Sequence, residues 1–219
     1  MKNKISFGLI GAGGFGREVM PYSKESISKS LNIPAEDINL YFVETEDPIE
    51  NRRNGYSVIS LRDFQSLTGT LLYNVAIGSG VARADISKRV GNSAKVLSIQ
   101  GPQVIILENN VIGEGAIFCP NTMITSNVKI GSFFHANIYS YVAHDCVIGD
   151  FVTFAPGVCC NGNVHIDDFA YIGTKAVIKQ GSADKPLRIG KGAVVGMGAV
   201  VTKDVPPGVT VIGNPARII

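Results

Sequence analysis

From Ile106 to Ile178 every sixth residue of the chain is apolar: Ile106, Ile112, Phe118, Ile124, Ile130, Ala136, Val142, Ile148, Phe154, Cys160, Ile166, Ile172 and Ile178. With 45% of the residues hydrophobic, an unbroken run of that length would arise by chance only about 3 times in 100,000, so the period marks a repeated structural unit. The residue after the beat is often Gly or Asp (Gly113, Gly131, Gly149, Asp167, Gly173). Four places on it is usually small or β-branched (Ala116, Thr122, Val128, Ser140, Cys146, Val152). A helix repeats near 3.6 residues and a half-buried strand near 2, so neither produces this rhythm. A short strand followed by a corner does. Three such units close one triangular coil of about 18 residues, and coils pair along the axis about 4.8 Å apart. The expectation is a parallel β-helix, whose coils bury their inward face only by stacking.

After Ile178 the beat resumes at Ile189, Val195 and Val201, eleven residues on instead of six. Five extra residues, within Ser182 to Arg188 and containing Pro186, are expected to leave one corner as an external loop. That loop is either a tolerated insertion or part of an active-site rim.

The texture of the 219-residue chain changes near residue 85, so two domains are expected, 1–85 and 86–219. With Lys+Arg 20 against Asp+Glu 18, the charge gives no footprint for nucleic acid or an anionic membrane. No apolar run approaches the roughly 18 residues of a membrane span, and Met1-Lys2-Asn3-Lys4 leads into a glycine-rich loop, unlike a signal peptide. A cytoplasmic location is expected. Cys119, Cys146, Cys159 and Cys160 lack metal-ligand spacing and read as reduced packing residues.

Ile5 to Ile10 form an apolar run that enters Gly11-Ala12-Gly13-Gly14-Phe15-Gly16 and then a helix start at Arg17-Glu18-Val19-Met20. Gly11, Gly13 and Gly16 fit the strand, tight turn and helix fingerprint, in which free amides and the helix dipole attract phosphate. A second strand, Leu40 to Val43, ends at Glu44, where an acid can meet a ribose hydroxyl, or where it simply joins a solvated charged loop. A third strand near Leu71 to Ile77 runs into Gly78-Ser79-Gly80. With three or four strands this segment reads as half a Rossmann fold, suited to a mononucleotide such as a nucleotide diphosphate sugar.

Of the three histidines, His144 holds the third place of the hexad Val142-Ala143-His144-Asp145-Cys146-Val147, which puts it at a corner outside the packed interior. An imidazole followed by a carboxylate has the ingredients of a general base with an orienting partner. His135 and His165 hold sixth places and read as structural. Gaps of nine and twenty-one residues between the histidines do not fit the three-histidine zinc site of some β-helix enzymes, so no metal is expected. One coil beyond His144 lies Gly162, whose N–H could meet the oxygen of a tetrahedral intermediate.

The beat, together with Ala143-His144-Asp145-Cys146-Val147-Ile148-Gly149-Asp150, Gly196-Met197-Gly198-Ala199-Val200-Val201 and Gly213-Asn214-Pro215-Ala216-Arg217, resembles the bacterial hexapeptide-repeat acyltransferases. With the leading glycine loop it is most similar to their sialic-acid O-acetyltransferase-like branch, which includes nucleotide-amino-sugar N-acetyltransferases. The resemblance covers nearly the whole chain. It implies an α/β half-Rossmann domain followed by a left-handed parallel β-helix, in a homotrimer whose clefts bind acetyl-CoA and no metal. It also implies a nucleotide-sugar acceptor held by Gly11, Gly13, Gly14, Phe15, Gly16, Glu44 and Gly78. His144 becomes the base, Asp145 its partner, Gly162 the amide donor to the acetyl carbonyl, and Gly192 and Gly198 residues along the CoA arm. Phe15 and Thr153 stand where some relatives carry histidine. The implied reaction is direct N-acetylation of a nucleotide-linked 4-amino-4,6-dideoxy sugar for a bacterial surface glycan. Sugar O-acetylation is the alternative, and a non-catalytic nucleotide-sugar-binding β-helix a more distant one.

Overall fold

The structure is a computed structural model describing residues 4–219, so Met1, Lys2 and Asn3, with the reading of the opening residues, lie outside the described residues. Strand β1 (Ile5–Ile10) leads through the glycine loop into helix α1 (Gly14–Leu31). There follow β2 (Ile38–Glu44), β3 (Arg52–Arg53), β4 (Tyr56–Ser60), α2 (Leu61–Ser66), β5 (Thr70–Val75), α3 (Gly80–Val90) and β6 (Lys95–Val96). The sheet order is β3-β4-β2-β1-β5-β6, parallel apart from the β3–β4 pair. β1 is mostly apolar because it is central and covered on both faces, with Phe7, Leu9 and Ile10 all buried. From β1 the chain steps outward through β2 and β4, then returns to β5 on the other flank of β1. The direction of winding therefore reverses between β1 and β5, the point at which open α/β sheets bind ligands beyond their carboxyl ends.

The strands run slightly off the expected bounds. β2 starts two residues earlier than Leu40, and β5 ends at Val75, so Ala76 and Ile77 already belong to the turn. Helix α1 begins at Gly14 with Gly13 as its N-cap, which places Gly14, Phe15 and Gly16 in the first helical turn.

The chain separates into two compact units, residues up to Gly78 with Ala82–Gly101, and Ser79–Val81 with Pro102–Ile219. The first unit continues past residue 85 because β6 pairs with β5, Leu72 opposite Lys95 and Tyr73 opposite Val96.

The second unit is a left-handed parallel β-helix with three faces of two- and three-residue strands. The first face stacks Ile105–Ile106, Met123–Ile124, Tyr141–Val142, Cys159–Cys160, Val177–Ile178 and Val200–Val201. The second runs from Val111–Ile112 to Leu187–Ile189. The third runs from Ile117–Phe118 to Thr210–Ile212, closed by the antiparallel Arg217–Ile218. Pairing partners lie 18 residues apart, as in Met123 opposite Tyr141 and Tyr141 opposite Cys159. Across the insertion the step becomes 23, Val177 opposite Val200. The ladder steps over the extra residues and continues in register.

Both the beat and the fifth place of each hexad point inward. Ile124, Val142, Cys160 and Ile178 are fully buried, and so are Ala116, Val128, Cys146, Val152 and Val158. Ala136, the smallest residue on the beat, pairs between Phe118 and Phe154. The room it leaves is filled by Phe134, which packs edge-on at 6.1 Å from the Phe118 ring and 5.1 Å from that of Phe154.

Each corner turns on a fourth-place residue with positive φ: Asn109, Gly115, Asn121, Asn127, Phe133, Tyr139, Asp145, Phe151, Gly157, Asn163, Phe169 and Lys175. For residues with a Cβ this conformation costs about 1–2 kcal/mol, least for Asn and Asp, whose short polar groups bond locally. Coil stacking sustains it even at Phe and Tyr.

Candidate active site

His144 lies at the corner that follows the first-face strand Tyr141–Val142, with its side chain 61% exposed. The next residue, Asp145, takes φ +59°, and its carboxylate lies 2.8 Å from His144 Nδ1. With Nδ1–H donated to that carboxylate, the lone pair falls on Nε2, the arrangement a proton acceptor needs.

One coil on, Gly162 lies against this ring. A methyl group there would sit 2.5 Å from His144 Cε1 and 2.6 Å from Nε2, so the imidazole occupies the space a side chain would fill. Gly162 O accepts from Gly181 N at 3.0 Å, and Asn163 N donates to His144 O at 3.0 Å. The Gly162 N–H meets no acceptor among the described residues, although the residue is buried. A buried amide without a partner is costly, and a carbonyl oxygen brought to this corner would satisfy it. The sequence placed Gly162 near His144 through the 18-residue step, and the structure brings the two together.

Sequence reasoning missed the support beneath this pair. Tyr141 donates its hydroxyl to Asn161 Oδ1 at 2.9 Å, and Asn161 Nδ2 donates to Ile178 O at 2.8 Å. Burial, then the nearby thiols, raise the Tyr141 pKa, so the hydroxyl keeps its proton and remains a donor.

His135 is buried beside Thr153, its partner on the third face. His165 faces Arg188 across the second face; burial, then the Arg188 charge, lower its pKa against the opposing pull of Asp167. All four cysteines are free thiols. Among the described residues no cluster of His, Cys, Asp and Glu is placed to hold a metal, and no helix is long and apolar enough to cross a membrane.

The insertion borders a cleft of about 580 Å³ lined by Lys179, Gln180, Gly181, Lys185, Pro186, Leu187, Thr202, Lys203 and Asp204. Three ammonium groups there suit a polyanion such as the phosphates of coenzyme A. Gly192 and Gly198, at φ +66° and +67°, hold the corner place in the coils after the insertion, with open space where a side chain would stand.

In the first unit, the loop after β1 is shaped by two glycines. Gly11 has φ +103° and packs on Ile77, while a side chain at Gly16 would strike the Gly11 carbonyl. Gly13, Gly14 and Gly78 have open space beside them, as close approach of a phosphate requires. Glu44 does not lie in a solvated loop: its Oε1 accepts the Ala12 N–H at 3.2 Å, while Arg53 Nη1 donates to the Ala12 carbonyl at 3.1 Å. Behind Gly78, the fully buried Arg83 donates to the carbonyls of Ile77 at 2.9 Å and Gly78 at 3.1 Å. Burial lowers its pKa to about 9. No motif marked Arg53 or Arg83, since the partner of each is a backbone carbonyl at a loop.

No protein-family model matches the chain. It is similar to a GDP-perosamine N-acetyltransferase of Escherichia coli O157:H7, 47% identical over 214 residues, covering 96% of this chain and 95% of that protein. Its structure is similar to that of WeeI from Acinetobacter baumannii AYE, with TM-score 0.88, 52% identity and coverage of 98% and 100% of the two chains. It is also similar to the acetyltransferase domain of PglB from Neisseria gonorrhoeae FA1090 in complex with acetyl coenzyme A, with TM-score 0.82, 26% identity and 98% of each chain.

Proposed function

This chain belongs to the hexapeptide-repeat sugar N-acetyltransferases, and on that premise we propose that it acetylates the amine of a nucleotide-linked 4-amino-4,6-dideoxy sugar with His144 as general base. The relative that acts on GDP-perosamine supports that compound as the first acceptor to assay. The observation that carries the reading is the His144–Asp145 contact of 2.8 Å beside the unpaired Gly162 amide.

Acetyl-CoA, once bound, supplies a thioester carbonyl as electrophile and a thiolate as leaving group. His144 Nε2 takes the proton of the attacking amine. Asp145 holds the ring through Nδ1 and steadies the imidazolium, and Gly162 N–H donates to the acetyl oxygen. The base contributes about 10²- to 10⁴-fold, and positioning of the two substrates the remainder. The lysine-lined cleft and the open corners at Gly192 and Gly198 take the CoA arm. Gly11, Gly13, Gly14, Phe15, Gly16, Glu44 and Gly78 form the nucleotide side.

The first face carries an outward apolar stripe, Ile105, Met123, Tyr141, Cys159, Val177 and Val200, in continuous register. Such a stripe calls for cover, and a second and third copy of the chain supply it in a homotrimer. Four free thiols suit a reducing cytoplasm, where the product would enter surface-glycan synthesis.

CoA release from acetyl-CoA and GDP-perosamine tests the reading. His144→Ala should lower kcat by about 10²- to 10⁴-fold while calorimetric acetyl-CoA binding persists. Near-normal turnover in that variant would refute the base assignment. Turnover only with hydroxyl sugars would redirect the acceptor to O-acetylation.

A further inference from the structure

The Gly162 N–H is one half of a peptide group whose other half, the Asn161 carbonyl, is held from within the column. Cys146 is fully buried and donates its thiol to Asn161 O at 3.1 Å, closer than the second thiol on that oxygen, Cys160 at 3.8 Å. The Asn161–Gly162 bond is trans, so its carbonyl and N–H point in opposite directions. A carbonyl turned toward an interior thiol leaves the N–H turned away from the core.

The contact follows a pattern. A fifth-place side chain bonds the carbonyl fifteen residues on at two other corners, Asn110 Nδ2 to Thr125 O at 2.6 Å and Ser140 Oγ to Ala155 O at 3.0 Å. Several other hexads fill that place with Ala or Val, which carry no donor, as at Ala116, Val128, Val152 and Val158. Bulk alone therefore suffices for packing there. At the His144 corner the place is taken by a residue that packs and also donates.

We propose that Cys146 is a positioning residue for acetyl transfer: its thiol satisfies the Asn161 carbonyl inside the column, fixes the Gly162 N–H outward and polarises it toward the acetyl oxygen. Hydrogen bonding at one end of a peptide strengthens donation at the other. The inference rests on Gly162 as the amide donor. Cys146 forms no bond to the acetyl group, and Tyr141, by anchoring the Asn161 side chain, braces the same peptide from outside the core.

Cys146→Val removes the shorter of the two thiol donors, leaving only Cys160 at 3.8 Å, and keeps a side chain that neighbouring hexads already accommodate, whereas Cys146→Ser keeps a donor. Cys146→Val should lower kcat about tenfold, part of the 10²- to 10³-fold that loss of an oxyanion donor costs. The KM for acetyl-CoA and the Tm should stay close to those of the parent, and Cys146→Ser should recover most of the loss. Tyr141→Phe, which loosens Asn161 without touching the core, should lower kcat in the same direction. The infrared stretch of carbonyl-labelled acetyl-CoA gives a second readout. It should fall on binding to the parent protein and fall less on binding to Cys146→Val. An unchanged kcat and stretch in Cys146→Val, or a loss that Cys146→Ser fails to recover while the stretch is unchanged, overturns the role of Cys146 and leaves Gly162 as donor. No lowering of the stretch in the parent protein removes the donor role of Gly162, and the role of Cys146 falls with it.

Discussion

A methyl group at Gly162 would collide with the His144 imidazole, so Gly162→Ala is expected to displace the base and cost roughly 10²-fold in kcat, near the low end of general-base catalysis. Steady-state kinetics with saturating nucleotide sugar would show it, and an unchanged kcat would contradict the packing of that ring. The corner position of His144 is legible in the sequence because the hexad assigns each place a direction, and Gly162 is legible because coils repeat every 18 residues. Cys146 is different. Its fifth place reads as interior bulk, and only the direction of the carbonyl one coil above turns it into a hydrogen-bond donor. Arg53 and Arg83 escape for a related reason: their partners are backbone carbonyls at loops, and no residue type in those loops betrays them.

The loop between β1 and α1 owes its shape to contacts from two other elements. Glu44 at the end of β2 accepts the Ala12 amide, and Arg53 in β3 grips the Ala12 carbonyl. Glu44→Ala removes a charged acceptor, at about 1.5 kcal/mol, and should raise the KM for the nucleotide sugar roughly tenfold with that for acetyl-CoA unchanged. An equal rise in both constants would argue against a separate nucleotide side. In the column, Phe134 fills the gap that Ala136 leaves between Phe118 and Phe154. Phe134→Ala should destabilise that unit by about 3–5 kcal/mol, measurable as a lowered midpoint in denaturant. The beat predicted the inward Ile ladder, but the substitution of one aromatic for a missing beat side chain is a matter of shape that periodicity does not encode.

For the molecule as a whole, the homotrimer is the reading with the plainest test. Sedimentation equilibrium should return three times the 23.3 kDa chain mass. Met123→Glu with Val177→Glu, two charges on the outward stripe of the first face, should shift the protein toward monomer, and acetyl-CoA turnover should fall with it. A monomeric parent protein with full turnover would contradict assembly as a requirement for catalysis. The fold class of both units could be read from the chain because each rests on a regular device, the glycine turn after β1 and the sixfold beat. Their boundary could not be read as sharply, since β6 has only two residues and joins the first sheet by long-range pairing.

The step from 18 to 23 at Val177 and Val200 leaves both neighbouring ladders in register. That corner thus behaves as a socket: its segment can be shortened, lengthened or exchanged with the pairing above and below undisturbed. Lys185 and Pro186 would then be replaceable cargo on a fixed mast, and a loop transplanted from a related enzyme would retune the adjoining cleft while the column keeps its melting point.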